Sequence, residues 1–258
     1  MNEDSKPASP IPEIGKITVS ELFASLAAGW HDFRAAPLFG IFFSAVYVLG
    51  GMLLITLSAG TVAWTLAMAL GFPLLGPFAA VGLYEVSRKL EIGEPLRWRE
   101  ILLVVISEKD RQIPWVGAIV VIYFLIWTLL AHMLFAIILG PSALTNISGS
   151  LQSLMTGKGL VLVGAEFVLG AVLAFILFSL TVVSLPLLLD KELDFVTAML
   201  LSVRTVKQNL LVMFIWGLML ALLVFIAMLP FFLGLFVVLP MLGHATWHLY
   251  RRALYDPA

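Results

Sequence analysis

Six apolar runs constrain this chain more than any other feature of its sequence. They cover about residues 38–58, 62–87, 113–139, 160–189, 209–228 and 231–250. A hydrocarbon core about 30 Å thick needs about 20 apolar residues in helical form. Lipid also requires that backbone polar groups be satisfied within the segment, which favours helices. The runs therefore predict an all-α fold, a polytopic membrane bundle of six transmembrane helices within a single domain, residues 18–252.

The composition agrees with a membrane location. Hydrophobic residues make up 61% of the chain and charged residues 12%, with a mean hydropathy of +1.06. Soluble domains carry about a quarter charged residues. Cysteine is absent, which excludes a disulfide framework and thiolate metal ligands. Residues 1–17 are polar and proline-rich and predict a disordered cytoplasmic tail, and residues 253–258 predict a second short tail.

Three amphipathic helices are predicted beside the spans. They begin near residues 18, 96 and 191. A capping-box pattern from Thr18 opens the first helix. Its apolar face is expected to include Phe23 and Trp30, and its polar face Ser25 and Asp32. Such helices lie along a membrane surface with the apolar face toward lipid.

The order surface helix, span, span occurs three times and predicts a threefold internal repeat. The second span of each unit carries a proline, namely Pro77, Pro186 and Pro240. Proline removes a backbone donor and collides with the preceding turn, so each of these positions is expected to kink its helix. A shift of 163 positions places Pro77 on Pro240 and Tyr84 on Trp247.

The basic residues are distributed unevenly between the two ends of the predicted spans. Three lie before the first span, six in residues 88–112, three in 190–208 and two after the last span, whereas Lys158 is the single one on the opposite side. The positive-inside rule makes the richer side cytoplasmic. Both termini and the three amphipathic helices are therefore expected at the cytoplasmic face, in contact with anionic lipid.

Two histidines of the last span form the first candidate site. His244 and His248 are four residues apart, on one helical face, and this spacing can supply two metal or haem ligands. Glu85 occupies the repeat equivalent of His248 and could join them. The alternative is a cluster of buried polar groups that satisfies the kinked backbone. Neither a metal nor a haem is required by the pattern.

His132 and Glu166 form the second candidate site. They are the ionisable residues well inside the predicted hydrocarbon region, each about 10 Å from its outer surface on antiparallel neighbouring spans. An unpaired charge there costs several kcal/mol, so we expect the two side chains to pair. Such a pair could serve a function or act as a hydrogen-bonded staple. Glu166 could also face outside water if its span starts later.

The polar segments contain no pattern of an enzyme or a nucleic-acid-binding protein. Basic and acidic side chains nearly balance in residues 88–112, which argues against nucleic acid. The chain has no phosphate-binding glycine loop, no GxSxG elbow and no catalytic cluster of carboxylates. Glu85 and Asp32 are expected to pair with Arg34 or Arg88 as anchors.

Three strings in the chain carry a family resemblance. They are GFPLLGPFAAVGLYEVSR at 71–88, LPLLLDKELDFxTA at 185–198 and LPMLGHATWHLYR at 239–251. With them the chain resembles the proteobacterial domain-of-unknown-function family of predicted multi-span integral membrane proteins. The resemblance implies a bacterial inner-membrane location and no established activity.

These observations favour a non-enzymatic accessory, assembly or envelope-organising factor whose partners are membrane lipids, other membrane proteins or further copies of itself. The first alternative is a small-molecule or ion transporter, because interrupted helices in repeated units often mark a midplane binding site. A polar cavity reaching Pro77 and Pro240 would favour transport, and tight apolar packing there would exclude it. The second alternative is a metal- or haem-binding protein using His244 and His248.

Overall fold

The computed structural model describes the backbone of residues 9–56, 62–107, 111–140 and 157–255, and their side chains except those of 54–56 and 62–75. Within these ranges the chain forms ten helices and one pair of short strands, which confirms the all-α prediction. The helices are α1 Val19–Ala35, α2 Pro37–Thr56, α3 Val62–Glu91, α4 Trp98–Ser107, α5 Ile113–Leu139, α6 Gly157–Thr181, α7 Ser184–Asp190, α8 Phe195–Gln208, α9 Leu210–Met228 and α10 Leu235–Ala253.

Three helical segments of the described chain are long and apolar enough to cross a membrane. They are α5, the segment Gly157–Asp190 formed by α6 and α7, and α9. Helix α1 and residues 37–53 of α2 pass the same test only as a pair bent by 102°, so the number becomes four if they form one broken span. The protein is therefore embedded in a membrane through three or four candidate spans.

The predicted kinks have different outcomes at the three prolines. Pro77 and Pro240 lie inside the continuous helices α3 and α10. The segment that contains Pro186 is interrupted, because α6 ends at Thr181 and Pro186 lies in the first turn of α7. A missing backbone donor costs little in a first turn, where no intrahelical acceptor is available. The interruption thus falls one turn before Pro186, where a proline disrupts a helix, and the kinks at Pro77 and Pro240 stay predictions.

One side chain of α8 forms hydrogen bonds with backbone groups at the break between α6 and α7. The Ser202 hydroxyl accepts a hydrogen bond from the Val183 amide at 3.2 Å and donates one to the Ser179 carbonyl at 2.8 Å. A helix interrupted inside an apolar environment needs such partners for its freed backbone groups. Ser202 is fully buried, so α8 fixes the position of the break.

Helix α1 buries polar residues that were expected on its solvent-facing side. Its capping box at Thr18 is present, but Ser25 and Asp32 are buried whereas Phe23 and Trp30 are 58% and 43% exposed. The reason is that the polar residues of α1 have polar partners on α10, while large aromatic residues are stable at a membrane interface. The exposed Phe23 and Trp30 are compatible with an apolar face toward lipid, and the burial of Ser25 and Asp32 is the difference from the prediction.

Helix α10 is the centre of the packing, with contacts to α1, α2, α3 and α9. Its approach to α1 is closest at Gly29, where an added Cβ would lie 2.5 Å from the Ala245 nitrogen and 2.5 Å from the Met241 oxygen. Glycine permits such backbone-to-backbone contact between membrane helices. On its other side, α10 stacks Trp247 on Tyr84 of α3, with ring centroids 6.5 Å apart.

The two ends of the chain are joined by a short antiparallel pair of strands, β1 Glu13–Ile14 and β2 Leu254–Tyr255. Asn209 closes the same region, since its side chain donates to the Gly15 carbonyl at 2.9 Å and accepts from the Ile17 amide at 2.8 Å. The disorder predicted for 1–17 is thus wrong for residues 9–17, and residues 1–8 lie outside the described part. Residues 254–255 of the predicted C-terminal tail are likewise a strand.

Candidate functional site

A buried polar cluster lies where α10 packs against α1 and α3. The Nε2 atom of His248 is 2.7 Å from Oδ2 of Asp32, and Nδ1 of His244 is 2.8 Å from the Ser87 hydroxyl. His244, Ser87 and Asp32 are all buried. Polar groups are stable in such a place only when they are hydrogen-bonded. The two pairs therefore tie the last helix to the first and the third.

One atom of this cluster lacks a hydrogen bond. The Nε2 atom of His244 is buried and has no partner with acceptable geometry among the described residues, although the Leu83 carbonyl interacts with the ring. Ser87 contacts the histidine through Nδ1 and is itself fully buried. A nucleophile must reach its substrate, and Ser87 has no exposed surface. The arrangement supports a structural role for this serine.

The predicted metal candidates do not form one site. His244 binds Ser87, His248 binds Asp32, and Glu85 is held by Arg88, whose Nε and Nη2 atoms lie 2.7 and 2.9 Å from the two carboxylate oxygens. In the part of the chain that the structure describes, no group of three or more His, Asp or Glu side chains is arranged to hold a metal ion. The Glu85–Arg88 pair confirms the predicted anchor for Glu85, whereas Asp32 pairs with His248 instead of an arginine.

Residues 65–190 match the model of a family described as "Predicted integral membrane protein (DUF2189)". Over this stretch, which is slightly less than half of its length, the chain is similar to DUF2189. The match confirms the family resemblance and the membrane location, and its region contains the string at 71–88 and the start of that at 185–198. No curated protein and no solved structure matches the chain.

The buried cluster extends beyond the DUF2189 stretch. That stretch contributes Ser87, whereas Asp32, His244 and His248 come from the segments on either side of it. Asp32 and Ser87 were not expected as partners of the histidines. A signal for Asp32 exists in the sequence: Ser25, Gly29 and Asp32 recur at helical spacing and mark one polar, small-residue face.

A second polar cluster joins the ends of α3, α7 and α10. Glu91 accepts hydrogen bonds from Trp247 Nε1 at 2.9 Å and from Arg251 Nε at 3.2 Å. The Tyr250 hydroxyl donates to Asp190 at 2.6 Å, and Arg251 is 3.6 Å from the same carboxylate. These contacts connect the helices α3, α7 and α10, which end the three predicted units.

The short helix α4 is anchored beside this cluster through Lys89. The Lys89 ammonium donates to Glu100 at 2.9 Å and to Glu94 at 3.0 Å. The hydrogen bond to Glu100 raises the pKa of Lys89 most, and the hydrogen bond to Glu94 raises it further. The basic and acidic residues of 88–112 thus neutralise one another at these positions.

The predicted pair of His132 and Glu166 is not formed. His132 is exposed, and its Nδ1 lies 2.7 Å from the Thr128 carbonyl of its own helix. Glu166 instead lines a groove between α5 and α6 together with Trp127 and Ala131. Successive helical residues point about 100° apart. His132 is therefore turned away from the groove that Ala131 lines.

Proposed function

We propose that this chain is a six-span scaffold of a bacterial inner membrane, built from three repeated units, which packs against other membrane proteins and carries out no reaction itself. Its candidate reactive groups support this role, because Ser87, Glu85 and both histidines of α10 form hydrogen bonds with other residues of the chain. The proposal rests on three features: polar segments that meet, a cyclic packing pattern, and one open interface.

The polar segments between the helix pairs are in contact with one another. Gly15 donates a backbone hydrogen bond to Ala253, Arg111 pairs with Glu192, and Arg251 pairs with Glu91. Segments that touch in this way share one side of a membrane, so each long-helix pair between them makes an even number of crossings. Two crossings for each pair give six spans, with both termini on the side that the basic residues make cytoplasmic.

The absence of native cysteine makes this topology testable with single cysteines. In spheroplasts, Lys158→Cys is expected to react with a membrane-impermeant maleimide, because residue 158 lies on the outer side. Arg97→Cys, at a position with a well-exposed side chain, should react only after lysis. Measured labelling that is equal for both positions in intact spheroplasts would contradict six spans with cytoplasmic termini.

The helix contacts support a cyclic arrangement of three units. Each surface helix packs on the second span of the preceding unit: α1 on α10, α4 on α3, and α8 on α6 and α7. The first spans follow the same rule for two units, since α2 packs against α10 and α5 against α3. The second spans α3, α7 and α10 also contact one another. This order is that expected of a threefold repeat closed into a ring.

The single observation that supports the scaffold role is the interface between α6 and α9. It corresponds to the contacts of α2 with α10 and of α5 with α3 in the other two units. Helices α6 and α9 meet at few points and leave an apolar groove of about 220 Å³. Its lining combines small and aromatic residues, including Ala171, Ala174, Gly217, Ala221, Phe178 and Phe214. Small residues at a membrane surface allow a further helix to approach closely. We assign this groove to a transmembrane helix of a partner protein.

The transport alternative is not favoured by the described core. Pro77 and Pro240 are buried, and a Cβ added at Gly40 would lie 2.8 Å from Cβ of Pro240. Apolar packing of this kind around Pro240 leaves no room for a polar path there. The metal or haem alternative gains no support either, because His244 and His248 face Ser87 and Asp32.

Site-directed photocrosslinking in native membranes tests the groove. Gly217→Cys carrying a benzophenone is expected to give a discrete protein adduct whose peptide maps to an apolar helix. Gly164→Cys on α6 is the matched control, because a side chain there meets open space. Ala221→Leu, combined with Gly217→Cys, should reduce the adduct by about tenfold. Equal adducts at positions 217 and 164, or none at 217, would overturn the scaffold role. An adduct with a second copy would identify the partner as the chain itself.

A further inference from the structure

The groove between α5 and α6 holds a carboxylate that no residue of the described chain neutralises. Glu166 is the single acidic residue in the sequences of α5, α6 and α9. It makes no hydrogen bond or ion pair with another described residue. The basic residue of its own helix, Lys158, is eight positions away, which is about 12 Å along the axis. His132 points elsewhere.

The groove is large enough to admit a small ligand. Its volume is about 350 Å³, and its lining consists of Trp127, Ala131, Val163, Glu166, Phe167 and Leu169. Ligand pockets usually have volumes of about 300–1,000 Å³. Apart from the Glu166 carboxylate, the side chains of this lining are apolar or aromatic. The groove therefore combines one negative charge with an apolar wall.

An aromatic ring is fixed beside that charge. Trp127 lies on Gly170, where an added Cβ would meet its ring at 3.2 Å, and it stacks on Phe124 with ring centroids 6.0 Å apart. Gly170 is one helical turn from Glu166, so the indole and the carboxylate open into the same groove. A cation between them would gain both the ion pair and the attraction of the indole face.

We propose that this groove binds lipophilic organic cations, with Glu166 as the counter-ion and Trp127 as the aromatic face. A lone carboxylate at membrane depth costs several kcal/mol, so the site favours occupation by a positive charge. A small inorganic cation would lose its hydration shell against apolar walls, whereas an alkyl or aryl ammonium or phosphonium ion is itself apolar outside its charge. This binding is independent of the partner groove at Gly217.

Radiolabelled tetraphenylphosphonium is the probe, with the full chain purified in nanodiscs. Saturable binding is expected, and Glu166→Gln should weaken it at least tenfold. Trp127→Leu should weaken it about threefold or more by removing the aromatic face. His132→Asn, on the adjacent exposed face of α5, is the matched control and should retain wild-type affinity. Glu166→Asp keeps the charge and should still bind.

Two comparisons separate the proposal from a general affinity for apolar molecules. Triphenylphosphine oxide is neutral, so it should compete weakly with the cation, and its competition should not change with Glu166→Gln. The melting temperature of Glu166→Gln without cation should stay within a few degrees of wild type. Unchanged tetraphenylphosphonium affinity in a folded Glu166→Gln protein would overturn the proposal. Equal competition by the neutral compound, or absence of saturable binding, would overturn it as well.

Discussion

Replacing Gly29 by leucine is expected to lower the free energy of unfolding by about 3 kcal/mol or more. Overpacking usually costs about 1–3 kcal/mol, and more when neighbours cannot move. At Gly29 the obstacles are backbone atoms, since an added Cβ would lie 2.5 Å from both Ala245 nitrogen and Met241 oxygen. Helix α1 would have to separate from α10. Gly29→Ala should be destabilised less than Gly29→Leu.

The measurement is the midpoint of unfolding by sodium dodecyl sulfate in mixed micelles. Ala27→Leu is the matched control, because it adds a similar side chain at an exposed position of the same helix. It should change the free energy of unfolding by less than about 0.5 kcal/mol. Equal stability of Gly29→Leu and Ala27→Leu would contradict direct backbone contact between α1 and α10.

Removing Arg88 is expected to cost about 3 kcal/mol, and removing the charge of Glu85 clearly less. The Glu85 side chain is 1% exposed and the Arg88 side chain 36%. Arg88→Met would leave a buried carboxylate without a counter-charge, which typically costs about 3–5 kcal/mol. Glu85→Gln instead leaves a guanidinium that can extend toward solvent. The asymmetry follows from burial, since both variants remove the same ion pair.

A double-mutant cycle measures this pair. Arg88→Met combined with Glu85→Gln should be more stable than Arg88→Met alone, because the second change removes the unpaired charge. Detergent unfolding of the four proteins gives the coupling energy. Additive losses would show that the two side chains do not interact energetically.

The sequence predicts some features of this fold well because they depend on local composition alone. The run at 113–139 coincides with α5, Ile113–Leu139, since nothing interrupts its apolar residues. The capping box at Thr18 is equally local, because donor and acceptor are three residues apart. The Glu85–Arg88 anchor also joins neighbouring turns of one helix.

Features that depend on a distant partner escape such analysis. Ser25 and Asp32 are buried because they form hydrogen bonds with Arg252 and His248 of α10, which lie more than 200 positions later in the chain. Residues 9–17 are ordered because Asn209 and β2 supply their hydrogen bonds. The spacing of Ser25, Gly29 and Asp32 marks a small polar face, but the first 35 residues do not show that Arg252, His248 and Asn209 are its distant partners or those of residues 9–17.

The candidate pair of His132 and Glu166 shows a third kind of limit. The rise of 1.5 Å per residue fixes the depth of a residue along a helix. Its direction around the axis depends on how each helix is rotated against its neighbours, and packing decides that rotation. The prediction rested on depth, which says nothing about the directions of the two side chains, so a pair was expected where a groove with one carboxylate is found.

The contact between α1 and α10 has a consequence for the synthesis of the protein. About 200 residues separate the end of α1 from the start of α10, and a ribosome adds about 5–20 residues per second. About 10–40 s therefore pass between the synthesis of α1 and the synthesis of α10, its packing partner. Throughout that time Ser25, Gly29 and Asp32 lack the surface that buries them. The fold closes last at the place where the chain began.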